Sequence, residues 1–147
     1  MRAVACDISG RHLQDGAYLM VCAAVACELA PTHVVRVLEV ALSTSTEQPE
    51  MNSVCSLIRS TLAKLSPAFS RDRVLLERGE LFNVEEWRAS SLLDRSVKLI
   101  ESIGERRALE VAHHCALGTR ELLLGIAHRV NDGESREGKN SSSGAAK

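Results

Sequence analysis

The amino-acid sequence predicts an all-α protein on three observations. Apolar residues make up 45% of the 147-residue chain and aromatics only 3%, so any core is assembled from Leu, Val, Ile, Ala, Met and Cys. These aliphatic residues recur at helical spacing through most of the chain. The three prolines, Pro31, Pro49 and Pro67, all fall between the periodic stretches, where a missing amide donor does no harm.

Taken in order, residues 1–12 read as a loose lead-in with a turn at Ser9-Gly10. A first helix is expected from Asp15-Gly16, where Asp15 can cap, to Leu29. A second, Thr32 to Ser43, places Val34, Leu38, Ala41 and Leu42 on one face. Ser43 to Glu50 is a polar connector. Met51 to Leu65 returns to helical spacing with Val54, Leu57, Ile58, Leu62 and Leu65, and Ser66-Pro67 ends it. Arg71 to Arg88 reads as two short helices joined at Gly79, and Ser91 with Asp94 as a capping pair. A long helix, Ser90 to Ala116, follows, with Gly104 as a place to kink or split. Gly118-Thr119 is expected to turn the chain into a last helix from Arg120 to Val130, stopped by Asn131-Asp132-Gly133. Glu134 to Lys147 is rich in Ser, Gly and charge, which predicts disorder beyond residue 131.

The turn at Gly118-Thr119, between two packed helices, is the organising unit of this reading. A fainter copy lies 88 positions earlier, where Ala24, Cys27 and Leu29 correspond to Ala112, Cys115 and Leu117, and Pro31 to Thr119. Such a correspondence suggests an internal repeat.

Leu117-Gly118-Thr119-Arg120-Glu121-Leu122-Leu123-Leu124-Gly125-Ile126 resembles the Gly-Thr-Glu-His-Leu-Leu-Leu-Gly signature of the Clp repeat, the duplicated helical N-terminal domain of Clp unfoldases such as ClpA, ClpB and ClpC. Ala30-Pro31-Thr32-His33-Val34-Val35-Arg36-Val37-Leu38 is similar to the same family's Thr-Pro-Glu-His form, and Arg95 to Glu105 to the helix leading into the second repeat. The resemblance covers residues 13–131. It implies a helical bundle of two pseudo-twofold-related repeats, 13–66 and 90–131, bridged by 67–89. No phosphate-binding loop accompanies them, so the resemblance implies the recognition domain without its ATPase.

Composition narrows the partners. With 18 basic and 19 acidic residues the formal charge is −1, which supplies no field to steer the chain to nucleic acid or an anionic membrane. Arginines 71, 73, 78, 88, 95, 106 and 107 alternate with acids and read as salt-bridged helix surface. Five cysteines, an odd number without a dense framework, suit reduced thiols in a cytoplasmic setting, with an organelle stroma or matrix as the other possibility. Ala17 to Cys27 is apolar but too short to span a membrane, and Asp7 and Asp15 before it argue against a secretion signal.

His113-His114-Cys115 is the one cluster with ligand or nucleophile chemistry. Adjacent helical residues point about 100° apart, so the three do not converge, and neither a metal site nor a catalytic residue nor a cofactor is assigned. In the Clp family the turns before each second helix contribute to adaptor binding and, in ClpC-like members, an acidic residue there binds phosphoarginine. Those positions are Thr32 and Arg120 here, neither acidic, so phosphoarginine recognition is expected to be lost; Glu121 also replaces the family's histidine.

The resulting expectation is a non-enzymatic protein-binding domain, an adaptor or regulator of a Clp ATPase and protease system. It would contact the ATPase, its adaptor or protein substrates through Pro31, Thr32, His33, Thr119, Arg120 and Glu121. A helix-turn-helix DNA-binding regulator is the second reading, and a small enzyme using Cys115 and a histidine the third.

Overall fold

The computed structural model describes residues 1–145, with side chains described through Gly133 apart from His128 and Asn131. The fold is α/β, not all-α. Strands β1 (Arg2–Ser9), β2 (Met20–Leu29) and β3 (Val34–Ser45) form an antiparallel meander. Helix α1 (Met51–Ala63) follows, then β4 (Arg73–Leu76), α2 (Glu86–Leu93), β5 (Val97–Leu99) and α3 (Ile103–Ala145). The sheet order is β3-β2-β1-β4-β5, with β4 parallel to both β1 and β5. Single turns of 3-10 helix, Pro67–Phe69 and Arg78–Leu81, flank β4.

Each face of the sheet carries its own core. On one, Val4, Cys6, Cys22, Ala24, Val74 and Leu76 pack with Val54 and Ile58 of α1 and Ala89 and Leu93 of α2. On the other, Ala3, Ala5, Ala23, Val25, Cys27 and Leu75 meet Ala108, Ala112 and Ala116 of α3. The three alanines recur every fourth residue, so they form one ridge of the helix. Small residues on both sides let α3 lie close against the sheet.

The two helices expected over Asp15 to Leu29 and Thr32 to Ser43 are β2 and β3. β2 is buried along nearly its whole length, so it shows no alternation, and an unbroken apolar run does not distinguish strand from helix. In β3 the register slips opposite Ala26/Cys27 and Glu28/Leu29. Apolar residues also occupy the exposed side of β3, where Val35, Val37, Leu38, Val40 and Leu42 all reach solvent, so the period of two is hidden. The β-branched residues Val34, Val35, Val37 and Val40 are the strand signal there.

Further along, the short helices expected over Arg71 to Arg88 are β4, a 3-10 turn and the start of α2. Ser91 and Asp94 close α2 rather than open a helix, Asp94 standing in the left-handed region at φ 52°. The helix expected from Ser90 to Ala116 is divided by β5, and α3 begins only at Ile103. Gly118 and Gly133 lie inside α3, so neither the expected turn nor the expected stop is present. Met51 to Leu65 contains α1, entered through a capping box in which Ser53 Oγ accepts from the Glu50 amide at 2.9 Å. A helical bundle of two Clp-type repeats is excluded by this architecture.

Candidate active site at the ends of β1 and β4

In β1, alternation places Ala3, Ala5 and Asp7 on the face covered by α3. The third of these is a carboxylate in an otherwise apolar stretch. Asp7 is 7% exposed, and its Oδ2 lies 3.0 Å from Nδ1 of His113, the neighbour of the ridge residue Ala112 on α3. Burial pushes the Asp7 carboxyl above its ordinary range, against the opposing pull of His113.

Glu77 follows immediately after β4 and, with Asp7, Arg106, Leu109, Glu110 and His113, lines a cleft of about 160 Å³. Its charge adds to the upward push on Asp7. Beside this cleft, the 3-10 turn carries Glu80 inward, where it is 8% exposed. Glu80 Oε1 accepts from the Ile8 amide at 2.9 Å and pairs with Arg11 at 3.1 Å. Burial, then the charge of Asp7, pushes Glu80 up to about 7 even with the Arg11 guanidinium opposing. Arg11 also donates to the Glu80 carbonyl.

Topology explains why these groups meet. From β1 the chain runs outward to β2 and β3 on one side, then crosses to β4 and β5 on the other. The C-terminal ends of the parallel neighbours β1 and β4 therefore flank a switch point, where open α/β sheets place their ligands. Asp7 and Glu77 sit at those two ends. Gly10, at φ 99°, turns β1 away; a Cβ there would collide with the Leu19 carbonyl and the Arg120 guanidinium.

The residues expected to bind a partner are elsewhere and apart. Pro31, Thr32 and His33 are exposed in the β2–β3 hairpin, with the Pro31 carbonyl accepting from Gly104 at the start of α3. Thr119, Arg120 and Glu121 lie within α3, about 22 Å further along its axis at 1.5 Å per residue. Arg120 braces the β1–β2 loop through Leu19 O at 2.8 Å and Gln14 Oε1 at 3.0 Å. Without the turn at Gly118, the helix-turn-helix at that position does not exist.

Cys115 is half-buried against the α3 core, and Cys6, Cys22, Cys27 and Cys55 are buried and free. Burial pushes Cys22 up to about 12 and Cys27 up to about 11. Such thiols are poor nucleophiles. Among the described residues, no three His, Cys, Asp or Glu side chains are grouped to hold a metal ion, and no helix is long and apolar enough to cross a membrane.

The sequence pattern of an archaeal family, described as uncharacterized proteins conserved in archaea (DUF2209), matches residues 4–124. The chain belongs to this family. It is 30% identical to the uncharacterized protein MJ0095 of Methanocaldococcus jannaschii over 122 residues, covering 82% of this chain and 95% of that protein. No solved structure matches. This membership replaces the Clp-repeat assignment, whose Gly-Thr signature falls inside α3 rather than at a turn. The match spans β1 through the part of α3 that carries His113, so every residue of the cleft lies within it.

Sequence reasoning missed Asp7, Glu77 and Glu80. Asp7 had a signal: a lone carboxylate in Ala-Val-Ala-Cys-Asp-Ile, an apolar run preceding β-branched segments. Arg2–Ser9 form β1 rather than the loose lead-in expected over residues 1–12.

Proposed function

We propose that this chain is a divalent-cation-assisted phosphoryl-transfer or phosphate-ester-hydrolysing domain. The observation that carries the reading is the convergence of Asp7 and Glu77 at the switch point, beside His113 and Arg106. A buried Asp7 and an exposed Glu77 lining one small cleft can hold a cation between them. Mg²⁺ ordinarily takes only one or two carboxylates and fills its remaining positions with water and substrate phosphate, which fits a cleft without a third convergent donor.

In this reading Asp7 and Glu77 hold the ion. A bound Mg²⁺ would polarise the phosphoryl group and lower the pKa of a bound water. Arg106 neutralises a phosphate oxygen through its fork of donors. His113, oriented through Nδ1 by Asp7, carries a proton to or from the reacting oxygens on its other nitrogen. Glu80 and Arg11 form a buried brace that fixes the end of β1 through the Ile8 amide. The adaptor role drew its weight from the Clp resemblance and has no independent observation behind it.

The test is hydrolysis of bis(p-nitrophenyl) phosphate with Mg²⁺ or Mn²⁺, alongside Mn²⁺ binding followed by electron paramagnetic resonance. The expected result is metal-dependent release of nitrophenol, lost in Asp7→Asn together with Mn²⁺ binding. Metal-independent turnover would shift the reading to Asp7 and His113 acting as an acid–base pair. No turnover and no Mn²⁺ binding by the folded wild type would overturn it.

A further inference from the structure

Two exposed aromatic side chains, Phe82 and Trp87, have no role in the mechanism above. Trp87, the only tryptophan of the chain, is 71% exposed on the first turn of α2, and Phe82 is 45% exposed. Together with Asn83, Val84, Glu85 and Arg88 they line a cavity of about 440 Å³. Phe82 is held in the left-handed region at φ 56°, and Asn83 follows at φ 61°. A bulky residue there is a genuine outlier. It is sustained by the Phe82 and Asn83 amides donating to Gly79 O at 3.3 Å and Arg78 O at 3.2 Å. This backbone aims a large ring at solvent when burial would stabilise it.

The aromatic surface is joined to the Arg11 and Glu80 brace at the end of β1. The Arg11 guanidinium that pairs with Glu80 also stands over the Phe82 ring, 5.5 Å from its centroid. Glu80 and Phe82 are two residues apart on the same turn. A ligand stacked on Phe82 therefore lies next to the groups that brace β1, with Arg88 on the same wall for a phosphate.

We propose that Phe82 and Trp87 form a stacking platform for the nucleobases of a single-stranded nucleic acid. The inference rests on the phosphoryl-transfer reading for its substrate, while base stacking itself is independent of catalysis. Exposed aromatics accept any base because every base has a π face. The chain's formal charge of −1 makes stacking, rather than a broad basic surface, the main source of affinity. Binding is consequently less steep in salt than for proteins that neutralise many phosphates.

Trp87 supplies its own reporter. Titrating the protein with a dT oligomer should quench Trp87 emission, whereas an abasic phosphodiester of the same length should bind roughly 10-fold more weakly, as expected for the loss of one or two stacked bases. Labelled-oligomer anisotropy should show a comparable loss in Trp87→Leu and in Phe82→Asn, the latter keeping a side chain that tolerates the left-handed backbone. Mononucleotide and duplex arms identify the source of the base: the oligomer should bind more tightly than either. Asp7→Asn should retain the quenching, which separates failure of this platform from failure of the catalytic reading. Equal affinity for abasic and normal oligomers, or no quenching with the folded wild type, would overturn the proposal.

Discussion

Replacing Glu80 by glutamine should abolish the pH dependence that this buried carboxyl imposes on folding. Glu80 is pushed from 4.5 up to about 7 in the folded state, by burial first and the Asp7 charge second. Its folded form thus holds a proton that the unfolded chain has released between those two values. Stability from this group is present below about 4.5 and falls as pH rises through 7. The displacement corresponds to about 3 kcal/mol at most. In Glu80→Gln the amide oxygen still accepts from the Ile8 amide, while the ionisation is gone. Urea unfolding at pH 5, 6, 7 and 8 should therefore show the variant gaining on wild type, by up to about 3 kcal/mol between pH 5 and 8. A constant difference across that range, or one moving in favour of wild type as pH rises, would refute the buried-carboxyl account.

Other expectations follow from the same geometry. Glu105 is pushed up by burial but held down to about 2 overall by Lys98 and the Ser102 and Glu101 amides; its contribution is present above 4.5 and lost as pH falls toward 2, so Glu105→Gln should cost about 3 kcal/mol at pH 7 and much less near pH 2. Ala112→Leu should destabilise by about 1–3 kcal/mol in urea unfolding, because Ala112 is fully buried where α3 meets the small residues of the sheet. Gly10→Ala should cost about 2 kcal/mol or more, since both its left-handed φ and the neighbouring Leu19 carbonyl oppose a Cβ. His113→Gln should reduce turnover more than Mn²⁺ affinity if His113 moves the proton while Asp7 holds the ion; equal losses in both would count against that division of roles.

What the sequence disclosed depended on whether the local pattern had one cause. α1 was legible because Val54, Leu57, Ile58 and Leu62 line a single buried face between polar residues. β2 was not, since both of its faces are covered and alternation disappears. β3 misled because its exposed positions are apolar too, Val35, Val37, Leu38, Val40 and Leu42 among them, so polar and apolar residues do not alternate. Gly118-Thr119 suggested a turn, yet nothing stands within 4 Å of where a Gly118 Cβ would be, so the glycine is simply tolerated on an open helix face. The cleft was invisible for a related reason. Asp7, Glu77 and His113 are distant in the chain, and only the pairing of β1 with β4 and the seating of α3 bring them together.

The placement of Asp7 carries an energetic implication that goes beyond its local contacts. An isolated ionised carboxylate is costly to bury, and a structural strand has no need of one. Here the cost is offset in part by hydrogen bonds from His113 and Glu80, while the charge of Glu77 adds to it. A purely structural solution would surround Asp7 with donors, as Lys98 and two backbone amides surround Glu105. The contrast between these two buried acids separates their roles. Glu105 is satisfied by a lysine and two backbone amides within the fold, whereas burial and the charge of Glu77 still hold Asp7 above its ordinary range, a balance that a bound cation would relieve. Addition of Mg²⁺ should accordingly raise the thermal midpoint of wild type and leave Asp7→Asn unmoved; an equal response in both would place any bound ion away from the cleft.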